Sequence, residues 1–363
     1  MNGRRGRETS DNPRYAVAEG HRDVYEQVYH RLRGHRAPLQ EILLPRLKVG
    51  GVVLLVYAVC GDTVDHAEGT DRPMWAALEH IDQFFLEVEQ PDSGMMLVRW
   101  REDLEHLSDG RIRFLFHFEG GSPLEGSVGA LRSFYRLGLR SMQLVHNRRN
   151  LLGDGVAERG SGGGLTRTGE AVLREMERLG IVVDLAHASE ATFYHALRVA
   201  TRPVVVSHSN CASVCAHVRN LSDKQLGTIR ENGGLVGVNL IAAFVDAERP
   251  TIDRLVDHIE HLAGFIGIDH VYVGGDSIKY EGPRSLRDVR YASPEGVFVE
   301  DLEEADQYPN LAAALLRRGY KEADVAGVMG ANLIRYLHQT LPSRTQAMVS
   351  PLAAERVGTE SGG

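Results

Sequence analysis

The chain has 363 residues, a formal net charge of −8, 43% hydrophobic residues and 25% charged residues. That length accommodates two ordinary domains or one large α/β domain, and the apolar content is ample for a core. The mildly acidic balance argues against nucleic acid as the main partner, and no stretch has the apolar length of a membrane span.

The opening MNGRRGRETSDNPRY is basic with no apolar segment behind it, so residues 1–16 are expected to form a disordered leader and not a signal peptide. Eight apolar runs of strand length follow, rich in Val, Ile and Leu: residues 17–23, 49–59, 111–119, 139–146, 181–187, 203–209, 235–241 and 270–276. Between them lie segments with helical spacing, such as PMWAALEHIDQFFLEVEQ, VGALRSFYRLG, RTGEAVLREMERLG and TIDRLVDHIEHLAGF, several opening on Ser, Thr or Asp and closing on Gly. Eight strands alternating with helices favour a single-domain (β/α)8 barrel over residues 17–341, with 342–363 as a C-terminal tail. Near-continuous apolar strands suit a parallel sheet covered on both faces. Cys60, Cys211 and Cys215 form no paired framework, which points to a reducing cytoplasm.

The strand ends carry the chemistry. The first run ends on His21 and Asp23, the third on Glu119, the fourth on His146, the fifth on His187, the sixth on His208 and the eighth on Asp276. One such residue means little: with 16 His and 49 acidic residues, chance pairs such as His66 with Glu68, His80 with Asp82 and His258 with Glu260 are expected. A parallel barrel, however, sends all its strand ends to one rim, where active sites of this fold lie. Histidines and carboxylates converging there suit one or two zinc-like ions that activate water and polarise a carbonyl. The four lysines, at 48, 224, 279 and 321, end no core strand, so Glu119 is the better bridge between two ions than a modified lysine.

The motifs EGHRD, FEGG, LVHNRRNLLGDG, VDLAHAS, VVVSHSN with HVRN, and HVYVGGD occur in an order that resembles the renal (membrane) dipeptidase family of the amidohydrolase superfamily. The resemblance extends from about Glu19 to Leu337 and includes GYKEADVAGVMGANLIRYL near the end. It implies a zinc-dependent hydrolase that cleaves small dipeptides with a free C-terminal carboxylate, tolerates a D-residue at that end, and forms a homodimer. It also implies that His21 and Asp23 hold one zinc, that His187 and His208 hold the other, and that Glu119 bridges them, with a metal-bridging hydroxide attacking the scissile carbonyl. His146 then contacts the substrate carbonyl oxygen, Arg219 pairs with the substrate carboxylate, and Asp276 moves the proton to the leaving amine.

Two departures bear on substrate. The family commonly has His-Asn-Asp where this chain has His21-Arg22-Asp23; strand alternation favours a structural, helix-facing Arg22, whereas an inward one adds a cation suited to an acidic substrate. After the last strand the family's second aspartate is missing from Asp276-Ser277-Ile278-Lys279, and Lys279 or Glu281 is a candidate replacement. A pathway-specific amide hydrolase is therefore the alternative reading, and a catalytically silent barrel the least favoured. His117 is either a satisfied core residue or a partner of Glu119. Tyr57 and Cys60 are open to pocket and core readings alike, and His258 and His261, lying off their helix's apolar stripe, are expected to be solvated.

Overall fold

Among the described residues, runs of branched and aromatic residues form nine strands: β1 (Val17–Asp23), β2 (Val52–Gly61), β3 (Met95–Leu97), β4 (Ile112–Glu119), β5 (Leu139–Gln143), β6 (Val182–Asp184), β7 (Val205–Val206), β8 (Leu235–Asn239) and β9 (Val271–Gly275). The structure, a computed structural model, describes residues 14–23, 31, 34–62, 72–276 and 298–345. The altered loop at 277–279, with Glu281, and most of the expected leader and tail lie outside these residues. All the strand pairings are parallel, and the order β2-β1-β9-β8-β7-β6-β5-β4 closes through a β2–β4 pairing. The fold is thus the expected eight-stranded (β/α)8 barrel. The short β3, beside the start of β4, is an addition that the sequence pattern does not announce.

Helices occupy the places that the periodicity predicts, including Pro73–Val88, Val128–Leu137, Arg167–Leu179 and Ile252–Ile266. Their ends are chemically marked. The side chains of Ser127, Thr166, Ser189, Ser222 and Thr251 each accept a first-turn N–H, a contribution of about 1 kcal/mol per cap. A further helix, Tyr308–Arg317, precedes the closing one, Asn332–Thr340.

Two apolar layers result. Outward-facing Leu55, Tyr57, Val59, Phe114, Phe116 and Phe118 pack among helix residues such as Phe84, Leu131, Phe134 and Val172, which settles Tyr57 as core. Inward-facing Leu54, Val56, Leu115, Val182, Val205, Leu235 and Tyr272 meet Leu333, Tyr336 and Leu337 of the closing helix, which plugs one end of the barrel. The other end is left for polar residues.

His258 departs from expectation. It is buried, with Nδ1 accepting from the Cys211 N–H at 3.1 Å and Nε2 donating to Val245 O at 2.8 Å. Two satisfied ring nitrogens make burial cheap, which the apolar stripe does not register. His261 is half-buried and pairs with Asp223 at 2.7 Å. All three cysteines are free and buried.

Candidate metal centre

A bulge in β1 sets the first pair of donors. Glu19 aligns with Leu55 and Arg22 with Tyr57, so three steps on β1 match two on β2. Glu19 and Arg22 therefore share the outer face, while Asp23 aligns with the inward Ala58. Arg22 is fully buried, and its Nε donates to Glu19 Oε1 at 3.0 Å. It is tied into the wall of the barrel and adds no cation to the pocket.

His21, Asp23, Glu119, His146, His187, His208, Arg219 and Asp276 all come to the open rim. β4 supplies Glu119 from its last position, two residues above His117 and four above Leu115. β5, β6 and β7 end earlier than the apolar pattern suggests, so His146, His187 and His208 stand just beyond their strands. His187 and Asp276 sit on left-handed backbone, with φ of 65° and 63°. That conformation costs a non-glycine residue of order 1–3 kcal/mol and tends to collect at functional sites.

The geometry centres on one oxygen. Glu119 Oε1 lies 3.1 Å from His187 Nε2, 3.5 Å from His146 Nε2, and 3.7 Å from both His21 Nε2 and His208 Nε2. Asp23 Oδ1 is 3.4 Å from His21 Nε2. Among the described residues, three overlapping sets have donor atoms mutually within 4.8 Å: His21, Asp23 and Glu119; Glu119, His146 and His187; and His21, His208 and Asp276.

Orienting bonds aim the lone pairs inward. His187 Nδ1 donates to Asn147 Oδ1 at 2.9 Å, which leaves its Nε2 unprotonated. His208 Nδ1 meets Ser207 Oγ at 2.8 Å, and the Ser207 N–H donates to Asp184 Oδ1 at 3.0 Å. The two Nε2 atoms face each other at 2.8 Å, close enough for one cation to be held by both rings. Burial, reinforced by Arg219 and neighbouring histidines, holds His187 and His208 well below the usual imidazole range, so both stay neutral. Burial, then Asp23 and Asp276, pushes the Glu119 carboxyl well up, and burial lifts Asp276 to about 6. Neutral imidazoles and crowded carboxylates, with Arg219 as the neighbouring cation, form a donor set that fits divalent metal.

Asp276 Oδ2 accepts from Asn239 Nδ2 at 2.7 Å, and Asn239 Oδ1 is committed to the Ile241 N–H at 2.7 Å. Arg219 is buried, with Nη2 3.5 Å from His208 O and its guanidinium 5.7 Å from the Phe244 ring centre. His117 bonds Ser141 Oγ through Nδ1 at 2.9 Å and packs edge-on against His21, beneath the donors and 3.7 Å from Asp184. Asp62, Asn147, Ser207 and Asn239 are the polar supports that sequence reasoning misses. Of these only Asp62 has a legible signal, as another carboxylate at a strand end.

The pattern of a family described as membrane dipeptidase (peptidase family M19) matches residues 13–349. The chain belongs to this family. It is accordingly a metal-dependent hydrolase of peptide bonds. Among similar dipeptidases, one from Clonostachys rogersoniana is 33% identical over 298 residues, 80% of this chain and 72% of that protein. Another, from Claviceps purpurea, is 32% identical over 303 residues, 80% of this chain and 67% of that protein. Among solved structures, an amidohydrolase from Pseudomonas aeruginosa is 27% identical with a TM-score of 0.76, covering 90% of this chain and 97% of its own. A metallopeptidase from Rhodobacter sphaeroides, solved with a phosphinate mimic of the dipeptide L-Ala-D-Ala, is 25% identical with a TM-score of 0.77, covering 90% and 99%. None of the described helices of this dipeptidase-family chain is long and apolar enough to cross a membrane.

Proposed function

We propose that the chain is a two-zinc dipeptidase that cleaves small dipeptides with a free C-terminal carboxylate and accepts a D-residue at that end. The observation that carries this reading is the single Glu119 oxygen surrounded by four imidazole nitrogens at 3.1–3.7 Å. A carboxylate so placed is suited to bridge two ions, one held with His21 and Asp23 and the other with His187 and His208. Zinc, when bound, supplies an acidified water and a polarised carbonyl.

The chain's own groups do the rest. Arg219 offers two parallel N–H donors to the substrate carboxylate and so fixes which end enters. His146, stacked on His187 with ring centres 4.1 Å apart, points Nε2 into the site and donates to the carbonyl oxygen as that oxygen gains charge. Asp276 Oδ2 is occupied by Asn239, which leaves Oδ1 to take the proton from water and pass it to the departing amine. Acceptance of a D-residue is supported by the L-Ala-D-Ala mimic in the Rhodobacter sphaeroides relative. A homodimer in a reducing cytoplasm completes the reading, supported by the family likeness and three free thiols.

The test is amino-acid release by the zinc-loaded protein from a panel of L-L and L-D dipeptides that includes both Ala-Ala pairs. Fast release from members with a free carboxylate is expected. Full metal content with no release from any dipeptide would overturn the proposed substrate class and favour another small amide.

A further inference from the structure

We propose that Asp62 is a positioning residue that holds His146 against Glu119 by clamping together the loops that follow β4 and β5, an inference that rests on the role given to His146 above. Asp62 is the first residue beyond β2. Its Oδ2 accepts from the His146 backbone N–H at 2.9 Å, and its Oδ1 accepts from the Ser122 N–H at 2.8 Å. Asn150 Nδ2 donates to both oxygens, at 3.1 and 2.9 Å, and to Leu144 O at 2.9 Å. The Asp62 N–H donates to the Glu119 carbonyl at 3.0 Å. One residue thus ties the main chain of the bridging carboxylate to the main chain of the substrate-facing histidine.

Room is reserved for this clamp. A Cβ on Gly120 would lie 2.3 Å from Asp62 Cγ, and one on Gly61 would lie 2.1 Å from Glu119 O. Glycine in CGD and the first glycine of FEGG are therefore requirements of the clamp, and Gly120 also has a φ of 112°. A carboxylate suits the position because both oxygens accept, whereas the amide of Asn would present a donor to one set of N–H groups.

The experiment compares D62N, H146A and the double variant as zinc-loaded full chains, on the dipeptide cleaved fastest in the panel above. Metal content and amide exchange across residues 144–150 are measured alongside. D62N should lower kcat about 10- to 100-fold, as misplacement near 1 Å does, while moving KM less and leaving metal content unchanged. Exchange across 144–150 should quicken. The double variant should be no slower than H146A alone, because both changes act through one group. Wild-type kcat or unchanged exchange in D62N, beside an impaired H146A, overturns the clamp alone; so does a double variant whose losses multiply. Wild-type turnover in H146A overturns the role of His146 and the clamp's purpose with it. If D62N does not fold, N150A takes its place, with a fall of about 10-fold or more expected from loss of one donor to a charged group. Unchanged kcat and exchange in N150A would likewise overturn the proposal.

Discussion

Replacing Asp276 with Asn separates three roles that its position allows. Asn239 cannot rotate to suit the newcomer, since its Oδ1 is committed to Ile241, so the carbonyl of the introduced amide must take the Asn239 donor. The new NH2 then faces the reaction centre, where it cannot accept a proton. Turnover should fall about 10²- to 10⁴-fold, the usual contribution of general acid–base catalysis. Metal content should stay at the wild-type level; loss of an ion would instead make Asp276 a ligand, which its grouping with His21 and His208 permits. Stability should move the other way. Burial lifts the carboxyl from 3.8 to about 6, so in the metal-stripped protein the folded state binds more protons than the unfolded state between those values. Stability is then full below 3.8 and declines as pH rises through 6, by about 3 kcal/mol at 1.36 kcal/mol per pH unit. Asn carries no such cost. Stripped D276N should melt roughly 4 °C above stripped wild type at pH 8, given an unfolding entropy that scales with length, and the gap should close near pH 3.5. Calorimetry on chelator-treated protein, with metal analysis and dipeptide turnover on loaded protein, covers all three. Wild-type turnover with full metal removes the acid–base role, and an absent melting gap refutes the burial argument.

His208→Ala should weaken metal binding by more than about 100-fold, because even residues that only orient ligands cost 10- to 100-fold; unchanged affinity by titration would remove it as a ligand. Arg219→Ala should raise KM about 10- to 100-fold for dipeptides with a free carboxylate, the loss of a charged hydrogen-bonding pair. Comparison with C-terminally amidated substrates checks this, since an equal loss there would contradict carboxylate pairing. Arg22→Met should destabilise the fold by about 3–5 kcal/mol in denaturant titrations by taking a charged donor away from the buried Glu19 carboxylate. A change in preference for acidic dipeptides, with stability intact, would return Arg22 to the pocket.

The barrel is legible in the sequence because a parallel sheet covered on both faces writes each strand as an unbroken apolar run, and the helices between such runs carry their own caps. The strand ends are less legible, for a physical reason located at the site. At β6 and β7 the ladder stops early because the Asp184 carboxylate takes the Ala186 and Ser207 N–H groups, and His187 turns onto left-handed backbone. An apolar pattern records burial, not the point where side chains replace main chain as hydrogen-bond acceptors. The bulge that puts Glu19 and Arg22 on one face is silent for the same reason, since strict alternation has no place for an extra residue.

The site shows a parallel contrast. His21, Asp23, Glu119, His146, His187, His208 and Asp276 are readable because a parallel barrel directs every strand's end to one rim, so polar residues at those ends are neighbours whatever their separation in the chain. Their supports obey no such rule. Asn147 serves His187, Ser207 serves His208, Asn239 serves Asp276, and Asp62 serves a loop 84 residues away. Each is a short polar residue of a kind common in loops, and only the partner across space distinguishes it. Topology alone therefore nominates the groups gathered at the rim, while the groups that aim them depend on individual hydrogen bonds, which is why substitutions among the supports test the proposed mechanism more sharply than further substitutions among the candidate ligands.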